Sequence, residues 1–174
     1  MRLIEQDKLR YSNQRLPLFQ FFFRKAQEKH NPLLHIFYRL LFRILVLMRH
    51  IDISSSCKIG GGLYFGHAYG ITINPKAILG RNINIHKGVT IGQENRGSRK
   101  GTPIIKNNVW IGVNSTIVGN VIIGSDVMIA PNSFVNCDIP DHSVVFGNPC
   151  IIKHSEWATQ EYINRAVDIE GEET

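Results

Sequence analysis

The sequence predicts an all-β fold over most of its length, a three-sided coil of short parallel strands entered through a helical segment. Three observations predict it. An aliphatic or aromatic residue recurs every six positions from Ile53, glycine often follows it, and the chain changes character near residue 51.

Residues 1–50 read as the helical segment. Leu16 to Lys29 and Pro32 to Arg49 are two candidate helices, divided at His30-Asn31-Pro32, with Asn31 as N-cap and Pro32 in the first turn. In the second, His35, Arg39 and Arg43 stand at i, i+4 and i+8, one polar stripe on an otherwise apolar cylinder. Such a helix must bury most of its surface. Its own domain or a sister subunit would do so, and so would a membrane surface. It is too short and too charged to span a bilayer. Met1 to Arg15 is polar and charged, so no secretory leader is expected.

Residues 51–153 carry the repeat. Ile53, Ile59 and Phe65 keep the step of six, then Ile73, Leu79, Ile85 and Ile91, then Ile105, Ile111, Ile117, Ile123, Ile129 and Val135. A second apolar or small residue follows four positions later, as at Ala77, Ile83 and Val89. Six is neither a helix period nor a simple strand period. It fits a short strand plus a turn, with one large side chain pointing inward. Three units close a triangular coil of about 18 residues, and coils stack about 4.8 Å apart. Gly80, Gly92, Gly112 and Gly124 fall at the corners, where a Cβ would crowd the backbone. The period breaks twice, around Gly66-His67-Ala68-Tyr69-Gly70 and over the polar, basic stretch Gln93 to Lys100. A packed interior admits no such insertions, so both bulge outward, where function usually sits.

Residues 154–174 form an acidic C-terminal helix or tail. Net charge is +7 over residues 1–50, +4 over 51–153 and −5 over 154–174, giving +6 for the 174 residues. The 43% apolar and 20% charged residues exclude global disorder. Cys57, Cys137 and Cys150 show no CxxC spacing and read as buried or incidental thiols of a reducing compartment.

Four segments carry a resemblance: Ile51-Asp52-Ile53, Ile59 to His67, Gly88-Val89-Thr90-Ile91-Gly92, and Ile139-Pro140 with Val145-Phe146-Gly147-Asn148-Pro149. They resemble the left-handed parallel β-helix (hexapeptide-repeat) acyltransferases, and within them serine acetyltransferase and the shorter, similar O-acetyltransferases of polysaccharide synthesis. The resemblance implies His67 as general base and Asp52 as its orienting carboxylate. The chemistry agrees: a hydroxyl must lose its proton as it attacks, imidazole has the suitable basicity, and a carboxylate on the far ring nitrogen fixes the tautomer. Asp52 precedes His67 by about one coil, which lets the two lie on adjacent rungs.

The resemblance further implies acetyl-CoA as donor, lying along Gly92-Gln93, Gly112-Val113 and Ala130-Pro131, with Lys153 and Lys106 as candidates for its phosphates. Substrate positions correspond to Gly66, Thr102 and Arg99, and Arg96, Arg99 and Lys100 form a basic loop that closes over the site or is simply solvated. Where the serine enzymes carry an acidic residue before the histidine, this chain has Gly66, and Gly101-Thr102 replace Arg-His before Pro103. The expected acceptor is therefore a hydroxyl of a sugar or polysaccharide precursor, with L-serine as the alternative. A homotrimer is expected, or a dimer of trimers, with sites shared between subunits. The expected location is the cytoplasm, with peripheral contact at the inner membrane face through residues 32–49 left open; no nucleic acid is expected. His86 lies about one coil after His67, which raises a zinc site as a rival, but three ligands are needed and no metal is expected. A non-enzymatic solenoid that binds a partner is the other rival.

Overall fold

The computed structural model describes residues 1–167. Helix α1 (Leu3–Leu9), α2 (Leu18–Gln27) and α3 (Pro32–Met48) precede the coil. The two expected helices are present. α1 arises within the stretch read as merely polar, because its polar residues Gln6 and Asp7 are buried against the coil. Asn31 caps α3 through Leu34 N–H, 2.9 Å, with Pro32 at its first position.

Five coils follow. The first is β1 (Asp52–Ile53), β2 (Lys58–Ile59) and β3 (Tyr64–Gly66); the second β4 (Thr72–Ile73), β5 (Ile78–Leu79) and β6 (Asn84–His86). The third is β7 (Thr90–Gly92), β8 (Ile104–Ile105) and β9 (Val109–Ile111); the fourth β10 (Thr116–Val118), β11 (Ile122–Ile123) and β12 (Val127–Ile129). The last holds β13 (Phe134–Val135) and β14 (Ser143–Phe146), after which β15 (Ile151–His154) returns antiparallel along β14. The strands form three sheets: β1-β4-β7-β10-β13, β2-β5-β8-β11, and β3-β6-β9-β12-β14-β15. All pairings but the last are parallel, the architecture of a left-handed β-helix of hexapeptide repeats.

Register shows why the period broke where it did. Ile73 pairs with Ile53, Ile91 with Ile73, Ile117 with Ile91 and Val135 with Ile117, so successive coils take 20, 18, 26 and 18 residues. The recurring aliphatics Ile73, Ile91 and Ile117 are 2% exposed or less and form the interior column. The longest coil carries the basic loop, which folds as a hairpin closed by Glu94 and Gly101, each N–H donating to the other's carbonyl at 3.0 Å.

The corner glycines act by space. A Cβ on Gly112 would stand 2.6 Å from Pro131 N, and one on Gly80 2.7 Å from Lys106 O. The left-handed backbone at corners falls instead largely to Asn82, Asn108, Asn114, Asn132, Asp126, His67 and His142, with φ between 53° and 59°.

A buried ion pair fastens the helices to the first coil. Arg24 Nε meets Asp7 Oδ2 at 2.7 Å, both side chains being 1% exposed or less. At the other end, residues 155–167 form turns and no helix. Asp126 holds them by accepting from Ala158 N–H, Thr159 N–H and Thr159 Oγ1 at 3.1, 2.9 and 2.6 Å. The rest of the acidic C-terminal segment, 168–174, lies outside the described residues.

Candidate active site

Asp52 opens the first coil and His67 closes it. The corner after β3 bulges, His67 takes a left-handed backbone with φ 53°, and the chain returns through Ile71 to β4. Asp52 N–H donates to Ile71 O at 2.7 Å, and Asp52 pairs in register with Thr72. Coil closure thus sets the carboxylate's residue against the foot of the loop that begins at His67. Both side chains are exposed, and no hydrogen bond joins them among the described residues. The two sit at opposite ends of one coil, with the next rung closing over the gap.

Gly66 pairs in register with His86, and a Cβ on Gly66 would run into the His86 ring at Cε1 and Nδ1. The His86 ring lies 4.7 Å from Trp110, which lies 5.0 Å from Tyr162, so the C-terminal segment backs this stack. Burial pushes His86 below its ordinary basicity, and the neighbouring His67 pushes it the same way. Its Nε2 is buried with no hydrogen-bond partner among the described residues. This stack was not foreseen; the pairing of residue 66 with residue 86, one long coil apart, is the signal that would have found it.

The remaining expected residues divide between two edges of the first sheet. Gly112-Val113 and Ala130-Pro131 stack on successive coils at the same corner as His67, where Gly112 N–H donates to Ile129 O at 2.8 Å and Asn132 N–H to Val113 O at 2.9 Å. Gly92-Gln93 and the basic loop occupy the other edge. Gln93 Oε1 accepts from Asn74 Nδ2 at 3.2 Å, Thr102 Oγ1 donates to Lys76 O at 3.2 Å, and Arg99 O accepts from Asn120 N–H at 2.9 Å. Thr102 and Arg99 therefore stand across the sheet from Gly66 and His67 within one chain. Lys153 is exposed on β15, its Nζ 5.5 Å from the Phe146 ring. Lys106 pairs with Asp141 at 3.3 Å on the corner between the second and third sheets. Cys57 is buried, whereas Cys137 and Cys150 face each other with their sulfurs 3.7 Å apart, a proximity their spacing did not suggest.

A groove of about 760 Å³ runs over the first sheet beneath α3. Asp52, Thr72, Asn74 and Gly92 line its floor, Arg39 and Arg43 its helical wall. Among the described residues, no three His, Cys, Asp or Glu side chains converge as a metal-ligand set.

Fold and register define a solenoid of hexapeptide repeats. Residues 102–137 match the family described as bacterial transferase hexapeptide (six repeats). The chain is similar to serine acetyltransferase 2 of Arabidopsis thaliana, 38% identical over 99 residues, covering 57% of this chain and 31% of that protein. It is also similar to serine acetyltransferase of Staphylococcus aureus strain Mu50, 32% identical over 124 residues, covering 71% of this chain and 58% of the relative. It spans about a third to three fifths of these relatives. Among solved structures, serine acetyltransferase from Brucella abortus strain S19 in complex with coenzyme A superposes with a TM-score of 0.74 at 26% identity, covering 88% of this chain and 67% of that one. The Neisseria gonorrhoeae enzyme gives 0.71 at 28%, covering 87% and 66%.

Proposed function

We propose that this protein is an acetyl-CoA-dependent O-acetyltransferase with His67 as general base and Asp52 as its orienting carboxylate. The observation that carries the reading is the closure of the first coil, which brings the Asp52 backbone to the foot of the His67 bulge while Asp52 lines the groove. The likeness to a coenzyme A-bound serine acetyltransferase supports the donor. Gly112-Val113 and Ala130-Pro131 lie at the same corner as His67 on later coils, with small residues along the edge where a thin, flexible arm would run.

Acetyl-CoA supplies an activated thioester. His67 takes the proton of the acceptor hydroxyl as that oxygen bonds to the acetyl carbonyl carbon, and returns it to the departing thiolate. Asp52 holds the imidazole in the productive tautomer and offsets its positive charge. Backbone N–H groups stabilise the oxyanion. A threefold assembly would carry the basic loop of one copy to the His67 edge of the next, which reunites the two halves of the expected site. Sedimentation tests this: a fully active monomer overturns the shared site.

The relatives favour L-serine as acceptor. One observation favours a saccharide hydroxyl instead: the His86 ring fills the space over Gly66, so this position cannot carry the acidic side chain expected of a serine site. The experiment is thiol release from acetyl-CoA with L-serine, nucleotide sugars and oligosaccharides in parallel, the product read by mass spectrometry for one added acetyl group. Transfer to L-serine supports the first acceptor and transfer to a sugar the second. No transfer to any hydroxyl acceptor overturns the activity.

A further inference from the structure

Helix α3 has two unlike faces. Its inner side chains Phe42 and Val46 are buried, yet the opposite face carries Leu33, Phe37, Leu40, Ile44, Leu47 and Met48, all exposed, Leu33 to 83% and Met48 to 72%, with Leu40 and Leu47 also bordering the groove. At about 100° per residue these six fill an arc of roughly 100°, with Ile36 extending it. An apolar face of this extent on an exposed helix marks an interaction surface.

We propose that α3 docks this protein on an anionic lipid bilayer, lying in the plane of the interface. Charge selects this occupant. Residues 32–48 contain no Asp or Glu, and residues 1–50 carry a net +7. Arg43 is exposed and stands about 90° round the helix from the centre of the arc, the level at which a cation meets lipid phosphate while the apolar face sinks; Arg39 follows about 40° further on the same side, where both also border the groove over the first sheet. At 17 residues the helix is too short to span the hydrocarbon core, and no helix among the described residues is long and apolar enough to cross a membrane.

A second copy fits less well. Leu33, Phe37, Leu40, Ile44 and Leu47 do alternate by four and three, as a coiled-coil seam does. The positions flanking that seam are Leu34, Ile36, Leu41 and Met48, with Arg43, where a paired coil needs complementary charges. Pairing two α3 helices would leave those apolar flanks wet and offer Arg43 no acidic partner on the helix. A bilayer takes up the whole arc at once.

The test is sedimentation of the full chain with vesicles of phosphatidylcholine alone and of phosphatidylcholine with phosphatidylglycerol in a three-to-one ratio. The protein pellets with the anionic vesicles, about tenfold or more in preference to the neutral ones, and salt weakens the binding. Phe37→Glu/Ile44→Glu lowers the partition roughly a hundredfold, since two buried side chains are lost from the apolar phase. Circular dichroism checks that this variant folds. Arg39→Glu/Arg43→Glu, which leaves the arc intact, abolishes the preference for anionic lipid. Wild-type protein that stays in the supernatant with both vesicles overturns the proposal. So does a result in which vesicles are ignored and Phe37→Glu/Ile44→Glu converts a larger assembly to a smaller one, which assigns the face to a second copy.

Discussion

Replacing Arg24 with methionine tests how the helices are held on the coil. The guanidinium is 2% exposed as a residue and makes five hydrogen bonds. Two go to Asp7 at 2.7 and 3.1 Å, two to the carbonyls of Ile59 and Gly60 at 2.8 and 2.6 Å, and one to Gln27 at 3.1 Å. Without it the hydrogen bonds left to Asp7 among the described residues come from Gln20 Nε2 at 3.0 Å and Leu63 N–H at 2.9 Å, both neutral donors, with the Arg10 cation acting from further off. Removing one partner of a buried ion pair costs about 3–5 kcal/mol, since the other charge stays behind. Methionine refills most of the volume, so packing adds little, and the expected loss is about 4 kcal/mol out of a total of order 5–15. Asp7→Asn/Arg24→Met should recover part of it, because no charge is then stranded. The assay is urea unfolding followed by far-ultraviolet circular dichroism at fixed protein concentration, with the midpoint moving and the slope unchanged. A loss under about 1 kcal/mol, the range of a solvated surface pair, would refute the reasoning.

Other expected outcomes concern the site and the C-terminal segment. His67→Ala lowers turnover about 10²–10⁴-fold while coenzyme A still raises the melting temperature; near wild-type turnover removes the assignment. Asp52→Asn lowers kcat less than His67→Ala does and leaves the KM for acetyl-CoA near wild type, whereas loss of an unrelated surface aspartate leaves kcat unchanged. Gly66→Ala drives a methyl into the His86 ring and costs about 1–3 kcal/mol by thermal denaturation, and His86→Ala in the same chain relieves it. Asp126 is pushed up by burial but drawn net below its ordinary range by bonds from Thr159, His142 and Ala158, while its bond to His142 at 3.0 Å raises that imidazole. The raised histidine stabilises fully below its ordinary value near 6.5 and loses this as pH rises through its higher folded value. The lowered aspartate stabilises above its ordinary value near 3.8 and loses this as pH falls through its lower folded one. The grip on residues 158–159 is therefore firmest in mildly acidic solution, and limited proteolysis of the C-terminal segment should accelerate toward alkaline pH in wild type and not in His142→Ala.

The periodic residues made the coil legible because each inward side chain answers to a local rule. Ile91 to Ile105 broke the step by eight residues, and the register later skips by that amount. The helix at Pro32 was legible from its cap and proline. α1 was not, since Gln6 and Asp7 look like surface residues until the coil and α2 bury them. The division of the substrate residues was equally hidden: Thr102 and Gly66 are distant in sequence and remain apart across the first sheet, a matter of which corner each insertion occupies.

By itself the sequence determined a repeating backbone, its two outward insertions and the imidazole and carboxylate worth pairing, because period, turn chemistry and residue type act over a few positions. Tertiary structure alone decided that Asp52 meets the foot of the His67 loop, that His86 crowds Gly66, that Arg24 and Asp7 are buried together, and that the outer face of α3 is left uncovered. Those outcomes depend on stacking one coil on the next and on laying helices over the first of them, which places side chains tens of residues apart in contact and strips them of water.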